Sequence, residues 1–187
     1  MEVTQTEIPG VLIIKPKRYF DDRGFFSESW NKKTLEDIGI FELFVQDNHS
    51  LSESVGTLRG LHFQYPPVAQ AKLVRCGRGS LLDVAVDIRL GSPTFGHWVS
   101  EVLSFENGKQ LFIPEGFLHG FVTTCAQTEI IYKCSNFYNP AAEGIVAFND
   151  PDLNIDWKTP HKSLHVSLKD RVSVYLRDIK NPFKYEG

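Results

Sequence analysis

The chain has 187 residues, enough to bury a substantial core as one domain with short appendages. Its 42% hydrophobic and 23% charged residues suit a folded globular protein and argue against disorder. A net charge of −3 lacks the basic surface of a nucleic-acid binder and leaves individual cations to line a pocket for an anion.

The first sixteen residues carry no basic n-region, and their one apolar run is Val11 to Ile14. This pattern is read as excluding a signal peptide, and no later run reaches membrane-spanning length. Cys76, Cys125 and Cys134 are odd in number and lack CxxC spacing, which predicts neither a disulfide framework nor a zinc site. The expected setting is a reducing cytoplasm, with no membrane or nucleic-acid partner.

Val11 to Ile14 is the first predicted strand, bounded by Pro9-Gly10 and Pro16. Asp21-Asp22-Arg23-Gly24 predicts a turn into a run from Phe25 to Trp30. Residues 31 to 39 form the one modest helix candidate, with Asn31 placed to cap it and Gly39 to stop it. Phe41 to His49 resumes an extended pattern. Residues 56 to 75 hold two strand-like runs broken by Tyr65-Pro66-Pro67, where proline ends any ladder, and the second runs from Lys72 to Cys76. Strict alternation groups His62 with Leu58, Gly60 and Gln64, and Lys72 with Gln70 and Val74. It sends Arg59 to the opposite face unless Gly60 permits a bulge.

Leu82, Val84, Val86 and Ile88 then alternate with Asp83, Ala85 and Asp87, the signature of a strand with one apolar face. Trp98 to Ser104, Gln110 to Ile113, Phe117 to Thr124, Thr128 to Tyr138 and Gly144 to Phe148 continue the series. Many short strands with turns between them predict an all-β sandwich or barrel. The last thirty residues are mixed and polar, and predict a short helix or an irregular tail. Cys125 and Cys134 are expected in the core. His49, His97, His161 and His165 are expected as structural or surface residues.

Gly56-x5-His62-x-Gln64, followed by Pro114-x-Gly116-x2-His119, resembles the two signature motifs of the cupins. The fold so implied is a jelly roll, or double-stranded β-helix. Residues 1–187 then form one cupin-type domain, with the N-terminal strands and the tail from about 160 to 187 as extensions. Metal-binding cupins would have histidine at Gln64 and a glutamate soon after. The interval from Tyr65 to Lys72 holds no carboxylate, and amide and ammonium groups bind transition metals poorly. The expected pocket has no metal and no cofactor.

From roughly residue 7 to residue 178 the chain resembles the dTDP-4-dehydrorhamnose 3,5-epimerase family. The resemblance rests on Arg23-Gly24-Phe25-Phe26, Val45 to Ser50, Leu58 to Gln64, Lys72 to Arg75, Asp83 to Asp87, Ser92 to Gly96, Ile113 to Phe117, His119-Gly120-Phe121 and Tyr132-Lys133, all in register. That family inverts two carbons of a deoxysugar joined to thymidine diphosphate. The resemblance implies His62 as the base, Asp170 as its carboxylate partner, Lys72 as the cation for an enolate and Tyr132 as the acid. Histidine suits the first role because its ordinary pKa lies near neutrality. Arg59 and His119 complete the polar lining. For the nucleotide the resemblance implies Arg23, Phe26, Glu28, Gln46, Asn48, Arg59, Glu143 and Lys169, with Tyr138 stacked on the thymine. It also implies a homodimer in which residues around Arg23 to Glu28 reach the partner's pocket.

Taken singly, each residue has an ordinary alternative. A histidine on a strand is commonly structural, a strand lysine is commonly solvated, and Tyr132 suits the edge of a core. Asp170 lies where no period is visible. Three functions remain distinct at this stage: a double epimerase, a relative inverting one carbon only, and a cupin that binds a sugar nucleotide without reaction.

Overall fold

In the computed structural model, which describes residues 1–171 and 173–186, the alternating runs become strands of two antiparallel sheets packed face to face. They are β1 (Glu2–Gln5), β2 (Leu12–Lys15), β3 (Arg18–Asp21), β4 (Gly24–Ser27), β5 (Gln46–Ser52), β6 (Thr57–Gln64) and β7 (Lys72–Arg78). There follow β8 (Ser80–Asp87), β9 (Trp98–Ser104), β10 (Gln110–Ile113), β11 (Phe117–Thr123), β12 (Thr128–Cys134), β13 (Glu143–Ile145) and β14 (His165–Val166). Two short helices are α1 (Lys32–Glu36) and α2 (Leu168–Arg171). The first sheet runs β1-β2-β10-β7-β12-β5; the second runs β13-β6-β11-β8-β9, with β14 parallel to β6. This is the expected jelly roll, with β3 and β4 as a separate hairpin.

Three apolar layers follow from the alternation. Between the sheets lie Val74, Cys76, Leu81, Ala85, Leu103, Leu111, Phe117, Phe121 and Ile130. Outside the first sheet, Leu35 and Ile40 cover Ile14, Leu73 and Phe112. Outside the second, Trp157, Leu153, Ile155, Leu164 and Leu176 cover Leu58, Leu61, Val84, Val86 and Val122. The C-terminal stretch is therefore the lid of a core layer, which explains its lack of a simple period. Strand β8 is buried on both faces: Asp83 and Asp87, expected on its polar side, are each 0% exposed. Asp87 is satisfied there by Arg89, Ser92 and Thr94, which close the turn into β9.

The strand ends depart from expectation where backbone pairing gives way. Asn31 caps α1 by accepting from Thr34 N–H, and past the C-cap Asp37 the chain turns away at Gly39, whose φ is 89°, as expected. Pairing of Phe41 to His49 begins only near Val45, whose N–H donates to the Cys134 carbonyl. Strand β12 ends at Cys134, short of the expected Tyr138. Cys134 is buried as expected, whereas Cys125 is exposed in the turn before β12 and does not belong to the core.

The bulge that alternation left open is present. His62 pairs with His119, yet Arg59 pairs with Phe121, so Gly60 and Leu61 together oppose Gly120. The extra residue reverses the parity upstream of it. Leu58 turns outward with Leu61 and Phe63, correcting its expected grouping with His62. Arg59 turns inward, where its guanidinium donates to the Leu51 carbonyl on β5, in the facing sheet. Gly60 has a φ of 122°, and a Cβ there would lie 2.6 Å from the Gly120 Cα. Both the backbone conformation and the close approach demand glycine. Gly60→Ala is expected to lower the melting temperature by about 5–10 °C, the scale of a few kcal/mol in a chain this long. Thermal unfolding followed by circular dichroism checks it; an unchanged melting point would remove the steric argument.

Candidate active site

One end of the space between the sheets is polar. There a cavity of about 350 Å³ is lined by His62, Gln64, Lys72, Tyr132, Cys134 and Tyr138, with Gln46, Asn48, Gln70, Glu143 and Lys169 around them. Strand parity delivers the central set. On β7 the inward series Lys72, Val74, Cys76 begins polar and turns apolar, and on β12 Ile130 leads through Tyr132 to Cys134. Cys134 pairs with Lys72 and Tyr132 with Val74, so the lysine and the tyrosine share one wall. His62 stands on β6, in the opposite sheet.

His62 is held by a carboxylate from far along the chain. Its Nε2 donates to Asp170 Oδ1 at 2.6 Å. Asp170 is 3% exposed and belongs to α2, where Ser167 Oγ donates to its other oxygen and accepts from its backbone N–H. Burial pushes the Asp170 carboxyl up, but hydrogen bonds from His62, Ser167 and the Gly60 N–H outweigh it and hold it below the usual carboxylate range. An ionised Asp170 fixes the His62 tautomer, and Nδ1 has no hydrogen-bond partner among the described residues. That nitrogen is available to accept a proton.

A second histidine–carboxylate pair lies beside the first. His119 Nε2 donates to Asp83 Oδ1 at 2.8 Å, with both side chains buried. Burial pushes the His119 pKa down; Asp83 opposes this, while Lys72 and His62 reinforce it. His119 is thus a neutral donor at neutral pH. Asp83, on the strand face expected to be polar, had only its place on the inward side of β8 to mark it. Its Oδ2 has no hydrogen-bond partner among the described residues.

Lys72 is 9% exposed and forms no ion pair among the described residues. Burial pushes its pKa down, against the pull of Cys134, Asp83 and Glu143. Burial likewise raises the Tyr132 phenol, with Cys134 and Glu143 adding to the rise and Arg59 opposing it, so the hydroxyl stays protonated at neutral pH. A cation and a neutral phenol on one wall, facing a histidine base on the other, can take a proton from carbon and return one.

Arg59, which is exposed, and His119, which is buried, are expected to complete the lining but are not among the residues that line the cavity, and the remaining expected residues divide into two groups. Gln46, Asn48, Tyr138, Glu143 and Lys169 all line the cavity, and Glu143 is shared by Lys169 Nζ at 2.5 Å and Tyr138 Oη at 3.2 Å. Arg23, Phe26 and Glu28 are exposed on or beside the β3–β4 hairpin and do not line it. His49, His97, His161 and His165 are exposed and stand outside it. Gln64 does not stand where it could serve a metal: its amide donates to the Val68 and Phe137 carbonyls and accepts from the Asn139 N–H. Among the described residues no three His, Cys, Asp or Glu side chains gather as a metal site.

The lowered Lys72 pKa has a definite sign for stability. Below the unfolded pKa the unfolded chain binds the proton more tightly, so the buried ammonium opposes folding at neutral pH. Lys72→Met is expected to raise the melting temperature at pH 7 by a few degrees, at about 2–4 °C per kcal/mol, with the gain shrinking as pH rises toward the ordinary lysine pKa. Melting curves across pH check it; a less stable variant at pH 7 would show that Lys72 is a net structural support.

Comparison with known proteins places these features in a family. The family model described as dTDP-4-dehydrorhamnose 3,5-epimerase matches residues 5–178. The dTDP-4-dehydrorhamnose 3,5-epimerase of Salmonella typhimurium is 52% identical over 178 residues, covering 94% of this chain and 96% of that protein. Among solved structures, the dTDP-6-deoxy-D-glucose-3,5-epimerase of Legionella pneumophila, in complex with dTDP-4-keto-L-rhamnose, superposes with a TM-score of 0.95 at 44% identity. That match covers 100% of this chain and 99% of the other. A 3'-monoepimerase from Streptomyces bikiniensis, in complex with dTDP-quinovose, gives 0.83 at 32% identity over 92% of this chain and 86% of its own. The chain belongs to the dTDP-4-dehydrorhamnose 3,5-epimerase family.

Proposed function

For this member of the family, we propose epimerisation of dTDP-4-dehydro-6-deoxy-D-glucose at C3 and C5, giving dTDP-4-dehydro-L-rhamnose. The observation that carries this reading is the placement of the His62–Asp170 pair across one cavity from Lys72 and Tyr132. The C4 ketone makes the protons on C3 and C5 acidic. His62 Nδ1 takes one of them, and the electron pair moves into the enolate, whose oxygen is stabilised by the Lys72 ammonium. Asp170 stabilises the imidazolium so formed. Tyr132 then gives its phenolic proton to the same carbon from the opposite wall, and the ketone re-forms. The proton taken up by His62 returns to solvent and the phenol is reprotonated from solvent, which resets the site.

For the nucleotide, Arg59 and Lys169 offer charge to the diphosphate, Gln46, Asn48 and Glu143 offer polar contacts, and Tyr138, 52% exposed at the rim, offers its ring to the thymine. Arg23, Phe26 and Glu28 fit a homodimer in which they complete the partner's cavity. Supporting this, their hairpin exposes Phe20 and Phe26 at 74% and 71%. We read the chain as one domain. Three free cysteines fit a reducing cytoplasm.

The reaction is assigned without metal, because Gln64 spends its amide on backbone groups and Lys72 repels a cation. Treatment with a strong chelator is expected to leave the epimerisation rate unchanged; a loss restored by added divalent ion would overturn that assignment.

His62→Ala is expected to slow solvent-deuterium incorporation into the sugar by roughly 10²–10⁴, with dTDP affinity little altered. Exchange near the wild-type rate would remove His62 as base. Tyr132→Phe separates the two proton transfers. The ring still fills its place and His62 still removes the proton, but return comes mainly from His62, on the face from which the proton left. The expected result in heavy water is label without inversion, followed by NMR at C3 and C5 separately. Inversion at a normal rate would transfer the acid's role elsewhere, and label at one carbon only in the wild type would favour single-carbon epimerisation.

A further inference from the structure

The segment after β12 carries Tyr138 but has little ladder of its own. Strand β12 ends at Cys134, the Ser135 N–H still donates to the Ala71 carbonyl, and residues 136 to 139 are then held mainly by side chains from elsewhere in the chain. Gln70 Nε2 donates to the Asn136 carbonyl at 2.7 Å, and Asn136 Nδ2 returns a bond to the Ala69 carbonyl. Gln46 Oε1 accepts from the Tyr138 N–H at 2.8 Å. Gln64, at the end of β6, makes the most of these links. Its Nε2 donates to the Phe137 carbonyl at 3.2 Å and to the Val68 carbonyl at 2.7 Å, and its Oε1 accepts from the Asn139 N–H at 2.8 Å. At 4% exposure, the amide has little water to replace any of them.

We propose that Gln64 is a positioning residue for nucleotide binding, acting through Tyr138. Its amide grips the residues on either side of Tyr138 and ties them to the strand that bears His62. The tyrosine ring, half exposed, is thereby held at a fixed place on the rim although its own segment lacks strand pairing. Glutamine suits the task because one planar group supplies two donors for two carbonyls and an acceptor for an N–H. Fixing the ring before the ligand arrives reduces the ordering cost of binding. The inference rests on the assignment of Tyr138 to the thymine ring, and the test separates the two.

The experiment is a double-mutant cycle on dTDP affinity, measured by titration calorimetry with Tyr138→Leu, Gln64→Met and the double variant. Tyr138→Leu is expected to weaken binding by about tenfold or more, the scale of base–aromatic stacking. Gln64→Met is expected to weaken it severalfold, and to add little once Tyr138 is already gone. In turnover the Gln64→Met loss appears in KM more than in kcat. Should Gln64→Met fail to fold, Gln64→His takes its place in the cycle, because the imidazole keeps an acceptor for Asn139 while losing one donor. Unchanged affinity in Tyr138→Leu overturns the ring assignment and the inference with it. A Tyr138 effect combined with a Gln64 effect of equal size in both backgrounds overturns the inference alone, since a general brace would act whether or not the ring is present.

Discussion

The close approach of two backbones at Gly60 and Gly120 governs where the polar groups of the cavity can stand. With no Cβ on either residue, β6 accepts one extra residue against β11, and its inward series becomes Arg59, His62 and Gln64. A regular strand would have turned Arg59 into the outer layer occupied by Leu58, Leu61 and Phe63, where a guanidinium has no partner. A bulge also releases a backbone group from the ladder. Here the Gly60 backbone also favours the ionised form of Asp170, so the distortion that re-aims Arg59 lies beside the carboxylate that holds His62. One local irregularity therefore links Arg59 and the cavity-lining His62 to a helix more than a hundred residues later.

The interior is divided between cohesion and chemistry. Toward one end, Leu81, Leu103, Leu111, Phe121 and Ile130 close the space between the sheets with apolar packing. Toward the other, the same strands present Asp83, His119, Lys72 and Tyr132. Burying these groups opposes folding: the Lys72 ammonium and the His119 ring both have their charged forms disfavoured, and one Asp83 oxygen has no partner among the described residues. Such a cluster persists only because the apolar layers on both outer faces offset it. The acid behaviour follows with a fixed sign. His119 is neutral when folded and must gain a proton when unfolded below the ordinary histidine pKa, so its contribution to stability falls as pH drops through that range.

Much of this was legible in the sequence, because most strands obey alternation and the Pro66-Pro67 break falls where β6 ends. What escaped is of three kinds. Strand β8 reads as half-polar, because a layer built from residues beyond 145 covers its apolar face and so leaves its Asp83 face to be buried against the facing sheet. Asp170 had no period to mark it because a four-residue helix places it, capped by Ser167, and resemblance alone identified it. Residues 135 to 138 continue the alternating pattern of β12, yet the Asn136 and Phe137 carbonyls and the Tyr138 N–H go to glutamine side chains, a preference that periodicity does not encode.

These three kinds of placement carry different rigidity. His62, Lys72 and Tyr132 sit on strands paired on both sides, so moving any of them disturbs two ladders. Tyr138 and Lys169 sit on a side-chain-held segment and a single helical turn, where displacement breaks a few hydrogen bonds and an ion pair. Groups that exchange protons with carbon need alignment to a fraction of an ångström, because proton transfer decays steeply with misplacement. Groups that grip a diphosphate or stack on a base tolerate more, since charge and ring faces act over broader geometry. On the proposed roles, the chain gives its stiffest backbone to the first set and its more adjustable backbone to the second. With roles so assigned, a fold of this kind can alter what it grips at the rim while the proposed proton-transfer set at the centre stays in place.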